Sequence, residues 1–133
     1  FRSSPETAFS ASFFGQAAIV KDYQKFRYFE DIPGADYAIV RPEFVKVTRK
    51  NEVQKYKSSA SEAEVERVAF RGSYFELSLK VGDITLSAKR GLDEPLVHQG
   101  EKVDVFVQRL FAIKENKVYA LENSSIREDY LVI

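Results

Sequence analysis

One stretch, Glu64 to Lys89, limits the fold more than any other. Phe75, Leu77, Leu79 and Val81 alternate with Tyr74, Glu76, Ser78 and Lys80. That is the period of a strand with one buried face. Ile84, Leu86 and Ala88 then alternate with Thr85, Ser87 and Lys89. Gly82-Asp83 lies between the two runs, and glycine supplies the positive φ that a two-residue loop requires. Such a loop pairs Val81 with Ile84, Leu79 with Leu86 and Leu77 with Ala88, so the apolar residues of both strands share a face. A slip of one residue would turn them all to water, which specifies the register strongly. Each large apolar side chain gains roughly 1.5–3 kcal/mol on burial, while ordering the backbone costs about 1–2 kcal/mol per residue. A lone hairpin does not win that contest, so the rest of the chain must cover its apolar face.

The remaining segments suit that task. Ser4-Pro5-Glu6 has the form of a helix start, with Ser4 as N-cap, Pro5 in the first turn and Glu6 at the positive dipole end. Phe9 and Phe13 share one face and Gly15 can close the helix. This short helix either packs on polypeptide outside the sequence or caps the domain's own core. Ala17 to Val20 and Phe26 to Phe29 are expected strands, with a turn near Lys21-Asp22 and another at Pro33-Gly34. Tyr37 to Val40 and Val45 to Val47 are two strands separated by a bend at Arg41-Pro42-Glu43, since proline does not donate to a ladder. Arg49 to Ala63 is polar and without period, which predicts a mobile loop. Gly91 to Glu101 is a second loop, containing Pro95. Val103, Val105 and Val107 start a strand that Leu110 to Ile113 continues. Glu115-Asn116 makes a turn, Val118 to Leu121 returns, and the tail Tyr130-Leu131-Val132-Ile133 needs an apolar partner. Many short strands separated by turns predict an all-β barrel or sandwich.

Chemistry is sparse. The 133 residues suit one ordinary domain, and 44% hydrophobic content is enough for a core. Twenty acidic and twenty basic residues balance to zero, which argues against strong non-specific binding to nucleic acid or anionic membrane. With no cysteine there is no disulfide, thiolate or zinc-thiolate chemistry. No run approaches the roughly 18 apolar residues of a membrane helix, and no signal peptide is visible. The chain begins at Phe1 and holds no methionine, so it is expected to be a piece of a longer polypeptide. His98 is the one histidine and sits beside Gln99-Gly100, where a surface role fits better than a catalytic one. Glu62, Glu64 and Glu66 suit the solvated face of a strand or turn. No glycine-rich phosphate loop is present. Arg41, Lys46, Arg49, Lys50, Lys55 and Lys57, with Tyr56 among them, could line a basic groove for a single strand, but Glu43 and Glu52 interleave. Solvated surface is the better reading, and no nucleic-acid partner is expected.

A resemblance then enters. Residues SSPETAFSASFFGQA, with Pro5, Phe9, Ala11, Phe13, Phe14 and Gly15, resemble the segment leaving the nucleotide-binding domain in ATPase subunits of bacterial ABC importers. YAIVRPEFVKV resembles that family's isoleucine-arginine-proline-glutamate signature at Arg41, Pro42 and Glu43. VERVAFRGSYFELSLKVGDITLSAK resembles its TOBE segment, with Gly72 and Tyr74 in place and the Gly82-Asp83 hairpin following. Gly100-Glu101-Lys102-Val103 resembles its entry to a late strand. The importer type is that of maltose, sulfate, polyamine and ferric ion. The resemblance implies that residues 1–15 form a short helix leaving a nucleotide-binding domain, and that 16–133 form an OB-like, TOBE-containing regulatory β-domain. It implies no catalysis and no cofactor in this segment, with ATP and magnesium held by the parent subunit. Implied partners are a second copy, the upstream nucleotide-binding domain and, through it, membrane permease subunits. The implied place is the cytoplasm, at the inner face of the cell membrane. Arg41 and Glu43 are expected as a charge-assisted pair where two strand sets meet, or else as a solvated bend. A small-solute or oxyanion-binding module is the alternative role.

Overall fold

The computed structural model describes residues 17–26, 28–52, 56 and 59–126. The expected helix over residues 4–15 and the tail from Tyr130 lie outside them. The described chain is built from nine strands: β1 Ala18–Val20, β2 Tyr37–Val40, β3 Val45–Arg49, β4 Ser61–Phe70, β5 Tyr74–Val81, β6 Ile84–Gly91, β7 Lys102–Val107, β8 Arg109–Lys114 and β9 Lys117–Glu122. They form a four-stranded sheet in the order β1-β2-β8-β9 and a five-stranded sheet in the order β3-β7-β4-β5-β6. Every pairing is antiparallel. The architecture is all-β and OB-like, as the alternation predicts.

The organising hairpin has the predicted register, with Val81 opposite Ile84, Leu79 opposite Leu86 and Leu77 opposite Ala88. Leu77, Leu79, Leu86 and Ala88 are fully buried. They meet Val103, Val105 and Val65 of the same sheet, and Ala38, Val40, Leu110 and Ala112 of the other. The main core thus lies between the two sheets. Glu62, Glu64 and Glu66 are exposed while Ala63 and Val65 are buried, so these acids form the solvated face of β4. Glu66 sits at a bulge between Val65 and Arg67. There β4 passes from pairing with β7 to pairing with β5.

Three expectations are corrected. There is no strand over Phe26 to Phe29. Tyr23–Lys25 form a 3-10 turn closed by Phe26, and Tyr28 has a positive φ of 75°. The loop is organised instead around the buried Tyr23 hydroxyl, which donates to the Glu30 carbonyl at 3.0 Å and accepts from the Ile32 amide at 2.6 Å. The polar segment Arg49 to Ala63 is not all loop. Arg49 ends β3, and Ser61, Glu62 and Ala63 already pair with Val105, Asp104 and Val103 of β7. Serine and glutamate occupy outward positions there, which hides the period from a composition-based reading. Between the strands, the connection crosses the outer face of β7. The Tyr56 ring stacks on Phe106 at 4.6 Å, and Lys50 binds Asp104 at 2.7 Å. Finally, the strand from Val103 does not run on through Ile113. It ends at Val107, Gln108 breaks the ladder, and β8 belongs to the other sheet.

Candidate functional site: the junction between the sheets

The chain crosses between sheets at two places that touch. The first is the link from β2 to β3. Arg41 is extended, and Pro42–Phe44 make a 3-10 turn with Pro42 buried at its start. Proline fixes φ near the helical value and lacks the amide hydrogen that a continuing strand would need. The ladder of β2 therefore stops and the chain swings across to the second sheet. The other crossing is Gln108, between β7 and β8. Its amide donates to the Phe44 carbonyl at 2.8 Å, and its carbonyl accepts from the Asn123 amide at 2.9 Å. Asn123 is itself buried, and its side chain donates to the Val107 carbonyl at 3.0 Å. Backbone hydrogen bonds hold the two crossings together, so the junction is a fixed point of the fold.

Arg41 Nε donates to Glu43 Oε2 at 2.8 Å across this turn. Burial pushes the Glu43 carboxyl up, but the Arg41 hydrogen bond, its own backbone amide and the Arg41 and Lys89 charges outweigh it. The carboxyl is held below the usual glutamate range. The pair is partly exposed, so its contribution to stability is small.

On one side of the junction lies a seam. β3 and β6 are the two edges of the five-stranded sheet, yet the sheet curls until they are in contact. Arg90 joins them. It follows Ile84, Leu86 and Ala88 at the next inward position of β6, and it is buried. Its guanidinium donates to the Val47 carbonyl of β3 at 2.7 Å, to the Pro95 carbonyl at 2.9 Å and to Glu52 Oε1 at 3.2 Å. An arginine fork thus takes the place of the ladder that would close a barrel. Glu52 also accepts from the Arg49 amide at 2.6 Å. That bond, with the Arg90 charge, outweighs burial and keeps the carboxyl below its usual range. Outside the fork is a cleft of about 430 Å³, bordered by Glu43, Lys46, Thr48, Lys89 and Glu94.

On the other side lies a pocket of about 290 Å³, lined by Phe44, Tyr56, Gln108, Arg109, Glu122 and Ile126. The Arg109 guanidinium stands 5.6 Å from the Phe44 ring centroid. It lies 3.9 Å from Glu122, too far for a strong hydrogen bond.

The remaining candidates do not converge here. Gly72 and Gly82 lie at opposite ends of β5, in the turns to β4 and β6, with φ of 91° and 61°. Both positions favour glycine for that reason. Asp83 completes the second turn, far along the hairpin from Arg41-Pro42-Glu43. His98 is exposed in the β6–β7 loop, and its backbone amide donates to Glu101 Oε1 at 3.0 Å. Arg49 pairs with Glu101 at 2.7 Å, and Lys50 with Asp104 and Glu62. Among the described residues these cations are matched by acids and form no continuous basic groove. Lys55 and Lys57 lie outside the described residues. No cluster of three or more metal-ligating side chains occurs among the described residues. Sequence reasoning missed Arg90 and Gln108. A charged residue in phase with Ile84, Leu86 and Ala88 was a readable signal for Arg90; Gln108 carried none.

Two curled sheets joined through a proline turn define a small OB-like regulatory β-barrel as the class. The chain belongs to the TOBE domain family, whose model matches residues 38–109, just over half of its length. No curated protein matches the chain.

Proposed function

We propose that the chain is the C-terminal regulatory and dimerisation domain of the ATP-binding subunit of a bacterial ABC solute importer. The observation that carries this reading is the TOBE match over 38–109. The resembling motifs support it in order: Arg41-Pro42-Glu43 at the junction, Gly72 and Gly82-Asp83 in the hairpins, and Gly100-Glu101-Lys102-Val103 entering β7. In this reading the domain performs no chemistry. ATP and magnesium belong to the nucleotide-binding domain of the parent subunit, which works in the cytoplasm against membrane permease subunits.

The outer face of the four-stranded sheet supplies a surface for the second copy. Ile19, Ile39, Phe111 and Ala120 form one apolar row across all four strands, and Tyr37, Ile113 and Val118 form another. Ile19 and Val118 are 53% and 56% exposed. These rows carry no charge, so the face meets its own copy about a two-fold axis without opposing like charges. Joining two copies raises the effective concentration of the attached ATPase domains for each other. Sedimentation equilibrium at high micromolar concentration tests this. A dimer is expected, and a monomer at every concentration removes the self-association.

A second reading, binding of a small oxyanion or another transported solute, is favoured by the seam cleft. Its two acids are already engaged, Glu43 by Arg41 and Glu94 by Arg90 at 3.8 Å. Among the described residues, Lys46 makes no ion pair, and Lys89 lies 5.0 Å from the Tyr74 ring centroid. Calorimetry with molybdate, sulfate, ferric ion and polyamines separates this role from a purely structural one.

A further inference from the structure

We propose that the pocket between Phe44, Tyr56, Gln108 and Arg109 binds a nucleobase, free or as its nucleoside. This goes beyond the dimerisation and solute readings and depends on neither. The pocket is small. Its volume of about 290 Å³ lies at the low end of the roughly 300–1,000 Å³ of sites for drug-sized molecules. Two of its walls are aromatic and held from behind. Tyr56 is backed by the buried Phe106, with the rings nearly parallel at 14°. Phe44 meets Phe111 edge to face at 6.1 Å. Rings fixed in this way can present a face to a planar guest without losing freedom on binding.

The polar groups are complementary to the edge of a base. Gln108 carries a donor and an acceptor on one planar amide. Among the described residues that amide has no side-chain hydrogen bond, although the backbone beneath it is fixed from both sides. Arg109 adds donors, and Glu122 adds an acceptor. Stacking and edge hydrogen bonding by such groups is how single bases are generally read. A purely apolar guest would leave the Gln108 amide unpaired on desolvation. A free phosphate would meet the Glu122 carboxylate. A neutral ring with donors and acceptors on its rim satisfies all of these groups together.

The test is titration of the isotopically labelled chain, followed by NMR, with adenosine, guanosine, cytidine and uridine. Ribose and inorganic phosphate are the controls. The expected result is saturable shifts at Gln108 and Tyr56 for at least one nucleoside and no response to either control. Gln108→Leu is expected to weaken binding at least about tenfold, and Arg109→Gln to weaken it measurably. Lys46→Ala, in the seam cleft, leaves it unchanged. Thermal unfolding of each variant checks that the fold is kept. The proposal is overturned by no saturable response at millimolar nucleoside, by an equal response to ribose or phosphate, or by binding that ignores both substitutions. Sedimentation reads the dimer independently, so failure here leaves the dimer standing.

Discussion

The two sheets share one core but treat their other faces differently. In the five-stranded sheet the outward positions of β4 carry Glu62, Glu64 and Glu66, all exposed. Its β7 strand, apolar outside at Phe106, is covered by Tyr56 from the connection to β4. In the four-stranded sheet the outer face is apolar across every strand. Ile39 and Ile113 there are buried in a second cluster with Ala17, Tyr37 and Phe111, while Ile19 and Val118 at the flanks are open. One sheet completes itself, and the other carries apolar area beyond what its own core requires. A one-sided sheet is a stability device; a two-sided one on a small domain is a contact surface.

The comparison can be broken first at the two clusters. Leu79→Ala, in the main core at 0% exposure, is expected to cost about 3–5 kcal/mol in urea unfolding. Ile113→Ala, on the opposite face of the other sheet, is expected to cost about 2 kcal/mol, the low end for such a truncation, because its cluster is small and borders solvent. Equal losses would mean that the outer cluster is a second full core, and the distinction between the sheets would fall.

The next largest effect belongs to the seam. Arg90→Ala removes the fork that joins β3 to β6 and leaves the Val47 carbonyl without its donor. A loss of about 3 kcal/mol is expected, as for breaking other buried charged pairs. Arg90→Lys should recover little, because an ammonium does not reproduce the fork. Faster amide exchange confined to β3 and β6 would place the damage at the seam; uniform exchange across both sheets would count against a local closure.

The difference between the sheets also explains what the sequence could tell. The hairpin from Tyr74 to Lys89 is legible because one face is polar and the other is not, so the period shows. The outer rows of the four-stranded sheet are not legible as a surface. In β2 and β8 both alternating positions are apolar, and a run such as Tyr37 to Val40 has no period. The junction is half legible. Pro42 marks a break in the ladder, but nothing local says that Gln108 sits against Phe44, 64 residues earlier in the chain. Arg90 was overlooked because Lys89 looked like the end of the strand; the inward phase of the next residue held the information. The strand start at Ser61 was lost because polar composition outweighed alternation.

Acid sharpens the comparison with a smaller effect. The carboxyls that pin the five-stranded sheet's connections are Glu101 and Glu52. Burial pushes Glu101 up, but the Arg49 side chain, the His98 amide and their charges outweigh it and hold it below its ordinary value of 4.5. Glu52 is likewise held below 4.5. A carboxyl lowered in the folded state contributes stability that is present above the unfolded value and lost as pH falls through the folded one. Unfolding free energy is therefore expected to be flat from neutral pH to about 4.5 and to fall below it. Glu101→Gln should flatten that fall, whereas substitutions on the four-stranded sheet should not. An unchanged acid slope in Glu101→Gln would show that the pinning acids lie elsewhere.

The smallest effect on stability carries the largest consequence for the proposed role. Val118 is more than half exposed, so Val118→Asp is expected to change the unfolding free energy of the monomer by less than about 0.5 kcal/mol. In a dimer joined through the outer face, the same change places a carboxylate in an apolar contact on each copy, where desolvation without a partner opposes association. Two-fold symmetry makes every contact occur twice, so one substitution acts twice. Sedimentation should therefore shift from dimer to monomer while the melting temperature of the monomer stays in place. Thr85→Asp, on exposed β6 of the other sheet, is the matched control and should leave the dimer intact. If Thr85→Asp dissociates the dimer and Val118→Asp does not, the contact surface lies on the five-stranded sheet, and the asymmetry between the sheets has some other cause.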